Sequence, residues 1–172
     1  MESTEGLTLT SSTVRDGQTI PQSAVFNSMG CTGDNRSPDL SWSGAPSGTK
    51  SYAITTWDPD APTGVGFVHW VLFNIPADVT ALPADAGSHK HGGVKALSGT
   101  NDFGLQAYSG PCPPPGDPPH HYHFTVYALD VGKLEGLDGL DGSTSYAKFK
   151  FMSREHVLAI GELVGLYGIP AK

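Results

Sequence analysis

Carboxylates at Asp58 and Asp60, imidazoles at His69 and His120, and a phenol at Tyr122 are side chains of this sequence that could move a proton or hold an ion. Two of them close the stretch Gly110-Pro111-Cys112-Pro113-Pro114-Pro115-Gly116-Asp117-Pro118-Pro119-His120-His121-Tyr122. Its six prolines carry no N–H and hold φ near about −65°, so the loop is stiff. The amides of Gly110, Cys112, Gly116 and Asp117 are then the few donors able to point at a ligand, and unpartnered donors in a rigid loop suit an anion.

Past the loop the pattern has period two. It places His120, Tyr122, Phe124, Val126 and Ala128 on one face of a strand and His121, His123, Thr125, Tyr127 and Leu129 on the other. The first row is otherwise apolar, so its imidazole and phenol need hydrogen-bond partners. Capping groups at a strand end would satisfy them, and so would a ligand between loop and strand; the pattern leaves both readings open.

The other candidates sit around a turn. Ser51 to Trp57, rich in β-branched and aromatic residues, reads as a central strand. It runs into Asp58-Pro59-Asp60-Ala61-Pro62, where the prolines stop the strand and fix where both carboxylates point. After Thr63 to Gly66, the segment Phe67 to Ile75 is apolar on both faces, as in a strand covered on both sides. His69 shares its face with Phe67, Val71 and Phe73, and an unpaired imidazole there is costly. A hairpin-like return predicts Asp58 or Asp60 beside His69, as part of a functional site or as a structural tie.

These candidates need a scaffold, and composition bounds it. A chain of 172 residues makes one domain, 1–172, with residues 1–6 read as a flexible N-terminus. With 22 glycines and 14 prolines, turns separate short strands, so the predicted class is all-β with one or two short helices. The net charge of −7 repels nucleic acid, so any phosphate must be caught locally. No apolar run approaches the roughly 20 residues of a membrane span. The N-terminus lacks the basic and apolar regions of a signal peptide, which favours the cytoplasm unless a leader has been removed.

Cys31 and Cys112 have no C-x-x-C spacing, which argues against structural zinc and thioredoxin-type chemistry. They are one disulfide or two buried thiols. A bridge would pin the proline loop to the Met29 to Asp34 turn and could stabilise the fold by up to roughly 4 kcal/mol.

Leu7 to Thr10 and Leu40 to Trp42 read as short strands, and Ala77 to Thr100 as a long exposed connection whose His89-Lys90-His91 is assigned no site. Repeated Gly-Leu-Asp-Gly between Leu134 and Gly142 is turn chemistry. Ser143 to His156 reads as a short helix, N-capped by Ser143 or Ser145, with Tyr146, Phe149 and Met152 along one face. Val157 to Tyr167 reads as a strand with Leu158, Ile160, Val164 and Leu166 on one face and Gly161 and Gly165 opposite.

Taken in order, Asp58-Pro59-Asp60-Ala61-Pro62, His69-Trp70, and Gly110-Pro111-Cys112-Pro113-Pro114 followed by His120-His121-Tyr122 resemble the phosphatidylethanolamine-binding protein family. The likeness runs from about Leu7 to Gly168, includes Asn35-Arg36-Ser37-Pro38 and Asn101-Asp102-Phe103-Gly104, and points to the bacterial Raf-kinase-inhibitor-like YbhB/YbcL branch. It implies a large central antiparallel sheet packed on a smaller one, and an anion pocket of Asp58, His69, the Gly110-Pro111-Cys112-Pro113 loop, His120 and Tyr122, with Asp60 and Ala61 as neighbours. The implied ligands are phosphate, phosphorylated headgroups or phosphopeptides, with no cofactor, and a protein kinase or protease partner and a homodimer are permitted. Many relatives have Arg where this chain has His121, which alternation places on the opposite face. Exported relatives carry Cys at both matching positions, so the likeness favours a Cys31–Cys112 disulfide and a periplasmic or secreted location. In such a pocket Asp58 would hold His69 protonated, or meet the ammonium of a zwitterionic headgroup.

Two rivals come from the residues themselves. Asp58, His69, His120 and Tyr122 are also the types of a small-molecule enzyme using acid-base chemistry, although no Gly-x-Ser-x-Gly nucleophile is present and Cys112 is a poor thiol if bridged. His121 and His123 point the same way, as in the H-x-H pair of a cupin-type metal site, but a third ligand is lacking.

Overall fold

The computed structural model describes residues 6–134 and 140–172. Residues 1–5 of the expected flexible N-terminus, and most of the Gly-Leu-Asp-Gly turn, lie outside them. Strands β1 (Thr8–Thr10), β2 (Leu40–Ser43), β3 (Ser51–Asp58), β4 (Phe67–Pro76), β5 (Ala81–Leu82), β6 (Leu97–Ser98) and β7 (His120–Leu129) precede helix α1 (Tyr146–Ser153) and strand β8 (Val157–Tyr167). Among the described residues they form a five-stranded sheet, β6-β4-β3-β7-β8, and a three-stranded one, β1-β2-β5, both antiparallel. The all-β expectation holds, and β3 is central as its composition predicts.

One core lies between the sheets. Leu9, Leu40, Trp42 and Leu82 of the small sheet meet Tyr52, Ile54, Trp70, Leu72, Phe124, Val126 and Ala128 of the large one. A second core, of Ala53, Val71, Phe73, Tyr127 and Leu129, packs under Phe149 of α1 on the outer face. This double cover is why β4 is apolar on both sides. Ser145 is the N-cap: its hydroxyl accepts the Lys148 amide at 3.1 Å.

Two details depart from the sequence reading. Ala77 to Thr100 is not simply an exposed connection, because β5 and β6 lie within it and Leu82 and Ala86 are buried. In β8 the glycine face is the inner one. A Cβ on Gly161 would stand 2.6 Å from the Leu7 carbonyl oxygen, and one on Gly165 would stand 2.5 Å from the Ile20 side chain. The N-terminal segment therefore lies directly against β8, and Gly17 and Ile20 donate amides to Val164 and Leu166 along that edge at 2.7 Å each.

Candidate functional site

The register of the large sheet brings the distant candidates together. In the β3–β7 pairing Trp57 stands opposite His123, so the residues after Trp57 run alongside those before His123. The β3–β4 pairing sets Asp58 opposite Phe67 and shifts register past His69, so His69 faces the cavity with Phe67, while Val71 and Phe73, expected on its face, lie in the outer core instead. Asp58, His69, His120 and Tyr122 thus meet at one end of the sheet, and they are 2%, 4%, 3% and 1% exposed. Burial of four polar side chains together demands that their polar atoms be accounted for.

Asp58 has a partner at each carboxylate oxygen. Its Oδ1 accepts the Asp60 amide at 2.8 Å, closing the Asp-Pro turn, and its Oδ2 lies 2.7 Å from His120 Nδ1. His120 Nε2 in turn lies 2.9 Å from Asp117 Oδ2. Carboxylates accept at both nitrogens, so both carry hydrogen and the ring is an imidazolium. Burial alone would lower its pKa, but the hydrogen bonds to Asp58 and Asp117 and their charges outweigh burial and raise it.

His69 is different. Its Nδ1 donates to the Ser109 carbonyl at 2.7 Å, and burial holds its pKa below the ordinary value despite the opposing pull of that bond and of Asp58. The expected pairing of Asp58 or Asp60 with His69 does not form. The hairpin return forms, but Asp58 turns to β7, Asp60 accepts both the amide and Nδ1 of His121 at 2.7 Å, and His69 takes a backbone partner. The charged histidine at the site is His120. Burial raises the Tyr122 pKa, so its phenol stays protonated, and its hydroxyl has no partner among the described residues.

Above these groups opens a cavity of about 530 Å³. Asp58, His69, His120 and Tyr122 line it, as do Cys112 and Pro113, and its other walls include Phe67, Phe103, Ile169, Met29 and Lys172. One wall is a covalent staple: Cys31 and Cys112 form a disulfide with Cα atoms 6.0 Å apart, pinning the proline loop to the Met29 to Asp34 turn.

The other candidates, Asp60, Gly110 and Pro111, are not among the residues that line the cavity. Gly110 donates its amide to Asn35 Oδ1 at 2.8 Å, and Pro111 accepts the Phe26 amide at 3.0 Å. The Gly116 amide goes to Ile169 at 2.8 Å and the Asp117 amide to Pro114 at 3.3 Å. Of the four loop donors expected to face a ligand, three are therefore used inside the protein, and Cys112 alone has no amide partner among the described residues. His121 and His123 face away, paired separately with Asp60 and Glu162, and no group of three metal-ligating side chains occurs among the described residues.

Sequence reasoning from side-chain type missed the residues that aim the site. Asn101 accepts the amides of Phe103 and Leu105 on Oδ1 and donates to the Ala107 carbonyl and Ser109 Oγ, which sets Ser109 against His69. Asp102 accepts the Val68 amide at 2.7 Å, and Phe103 stacks on Phe26 with ring centroids 4.6 Å apart. Asn-Asp-Phe-Gly is a turn signal, and turn chemistry alone does not say what the turn presents.

The family model described as phosphatidylethanolamine-binding protein matches residues 10–168. The chain is 46% identical to the UPF0098 protein YbcL of Escherichia coli over 165 residues, covering 94% of this chain and 87% of that protein. It is 42% identical to the UPF0098 protein YbhB of the same organism over 164 residues, covering 92% and 98%. The crystal structure of E. coli YbcL, described as a new member of the mammalian PEBP family, superposes with a TM-score of 0.88 at 44% identity, covering 95% of this chain and 99% of that one.

Proposed function

This chain belongs to the phosphatidylethanolamine-binding protein family, and from that premise we propose that it is a non-enzymatic binding protein whose ligand carries a phosphate, free or as a phosphorylated headgroup or side chain. The ligand phosphate sits at the floor of the cavity against His69, Tyr122 and the Asp58–His120 pair, with Cys112 and Pro113 beside it. One observation carries this reading: His69 and Tyr122 line the cavity next to an imidazolium, and among the described residues neither His69 Nε2 nor the Tyr122 hydroxyl has a geometric hydrogen-bond partner. Asp58 also suits the ammonium of a zwitterionic headgroup. A phosphorylated segment of a kinase or protease would present the same group to the same floor.

Calorimetric titration with inorganic phosphate in mildly acidic buffer tests it. Saturable binding that is lost in the double variant His69→Ala, Tyr122→Phe is the expected result; an absence of binding removes the proposal. The alternative, acid-base catalysis on a small organic ligand, has less support. His120 is held between two carboxylates rather than poised to exchange a proton, and Cys112 is bridged, so no thiol nucleophile faces the cavity.

A further inference from the structure

A backbone group fixes the tautomer of His69. Its Nδ1 lies 2.7 Å from a carbonyl oxygen, which can only accept, so Nδ1 carries the hydrogen and Nε2 of the neutral ring is a bare lone pair. No geometric hydrogen bond engages Nε2 among the described residues, and the ring lines the cavity with the Gly110 backbone close enough to favour its charged form as well. Beside it lies a second acceptor, the Asp58 carboxylate, whose oxygens already take His120 and the Asp60 amide but retain further lone pairs. Against these acceptors the floor sets the Tyr122 hydroxyl as donor. A fully deprotonated anion would meet His69 lone pair to lone pair.

We propose that the cavity selects phosphate groups that keep an acidic P–OH, the chemistry of phosphomonoesters and of inorganic phosphate, over phosphodiesters. His69 Nε2 accepts the P–OH proton while Tyr122 donates to an anionic oxygen. This deepens the phosphate reading above and rests on it. A diester has no such proton, so it binds well only if His69 is protonated first. Burial opposes that protonation more strongly than the backbone of Ser109 and Gly110 and the charges of Asp58 and Asp102 favour it. The imidazolium of His120 on β7, with Asp58 and Asp117 at its two nitrogens, and Lys172 on the cavity wall both disfavour another positive charge nearby; Tyr122 stays neutral. A monoester already in its dianionic form must therefore take up a proton on binding.

The test is calorimetry on the whole chain with methyl phosphate and dimethyl phosphate at about pH 5.5, where each ligand carries about one negative charge and the first keeps its P–OH. Methyl phosphate is expected to bind at least about tenfold more tightly, the cost of leaving one buried acceptor unpaired. At about pH 8 its binding should weaken and take up close to one proton, read from buffers of different ionisation heat. In His69→Gln the side-chain amide offers a donor near the position of Nε2, so the two ligands should bind alike. Equal affinities in the unaltered protein overturn the inference. So does glycerophosphoethanolamine, a diester that carries an ammonium, binding as tightly as phosphoethanolamine, because the ammonium would then be satisfying His69. Either result leaves the phosphate reading standing, whereas no binding of any of these ligands, inorganic phosphate included, overturns both.

Discussion

Asp58 Oδ2 stands 2.7 Å from His120 Nδ1, tying residues 62 positions apart in the chain at the closed end of the cavity. Both side chains are nearly inaccessible, at 3% and 4%, so the pair is an internal charge contact that holds the end of β3 to the start of β7. Removing one member strands the other.

Asp58→Asn is accordingly expected to lower stability by about 3 kcal/mol, measured by urea unfolding in mildly acidic buffer. Burial works against the His120 charge, but its hydrogen bonds to Asp58 and Asp117 prevail and raise its folded pKa. That stabilisation is complete below the unfolded histidine value of about 6.5 and fades as pH climbs through the raised folded value. The gap between the parent and Asp58→Asn should narrow over the same interval; a gap independent of pH would contradict the pairing.

Tyr122→Phe separates binding from folding. The hydroxyl has no protein partner among the described residues, so the variant should match the parent in stability to within about 0.5 kcal/mol. Its affinity for inorganic phosphate should fall about tenfold by calorimetry. Unchanged affinity would place the phosphate elsewhere.

Asp117→Asn removes one of the two carboxylates that neutralise His120. His120 should then titrate at lower pH by NMR, and phosphate should bind roughly threefold more tightly, the effect of one partly exposed charge. Weaker phosphate binding in this variant would show that Asp117 assists the ligand rather than opposing it.

The disulfide closes a separation of 81 residues. Replacing Cys31 and Cys112 by serine should cost roughly 4 kcal/mol in chain-entropy terms and weaken phosphate binding, because the same bond forms part of the cavity wall. Chemical unfolding of parent and double variant measures the first effect and calorimetry the second.

Gly110→Ala tests the back of that wall. A Cβ there would stand 2.2 Å from the Ala24 carbonyl oxygen and 2.7 Å from the Phe26 amide nitrogen, both backbone atoms with little room to retreat. Destabilisation of about 2 kcal/mol is expected, read as a shifted urea midpoint at unchanged slope.

Much of this architecture was legible because period-two alternation is a local property. The row His120, Tyr122, Phe124, Val126, Ala128 could be set on one face from residue order alone, and all but the first lie in the core between the sheets. The inner face of β8 was not so legible. Gly161 and Gly165 look like gaps in a strand until Leu7 and Ile20, from the far end of the chain, are seen to fill the space. A sequence window contains no such partner.

The histidine partners failed to read for a similar reason. Proximity in sequence pointed Asp58 at His69 across the turn, and β3 and β4 do pair, but a strand at the centre of a sheet has two neighbours and Asp58 turns to the other one. Only the β3–β7 register, a long-range fact, decides between them. The loop amides were misjudged because Asn35 and Ile169, distant in sequence, use two of them.

The six prolines and the Cys31–Cys112 bond have one more consequence, for rates. The wall they build is stiff, so capture is expected to proceed without a segment folding over the ligand. Association should then follow a single diffusive step, linear in ligand concentration without a plateau in stopped-flow traces, and selectivity among ligands should appear in how fast each one leaves.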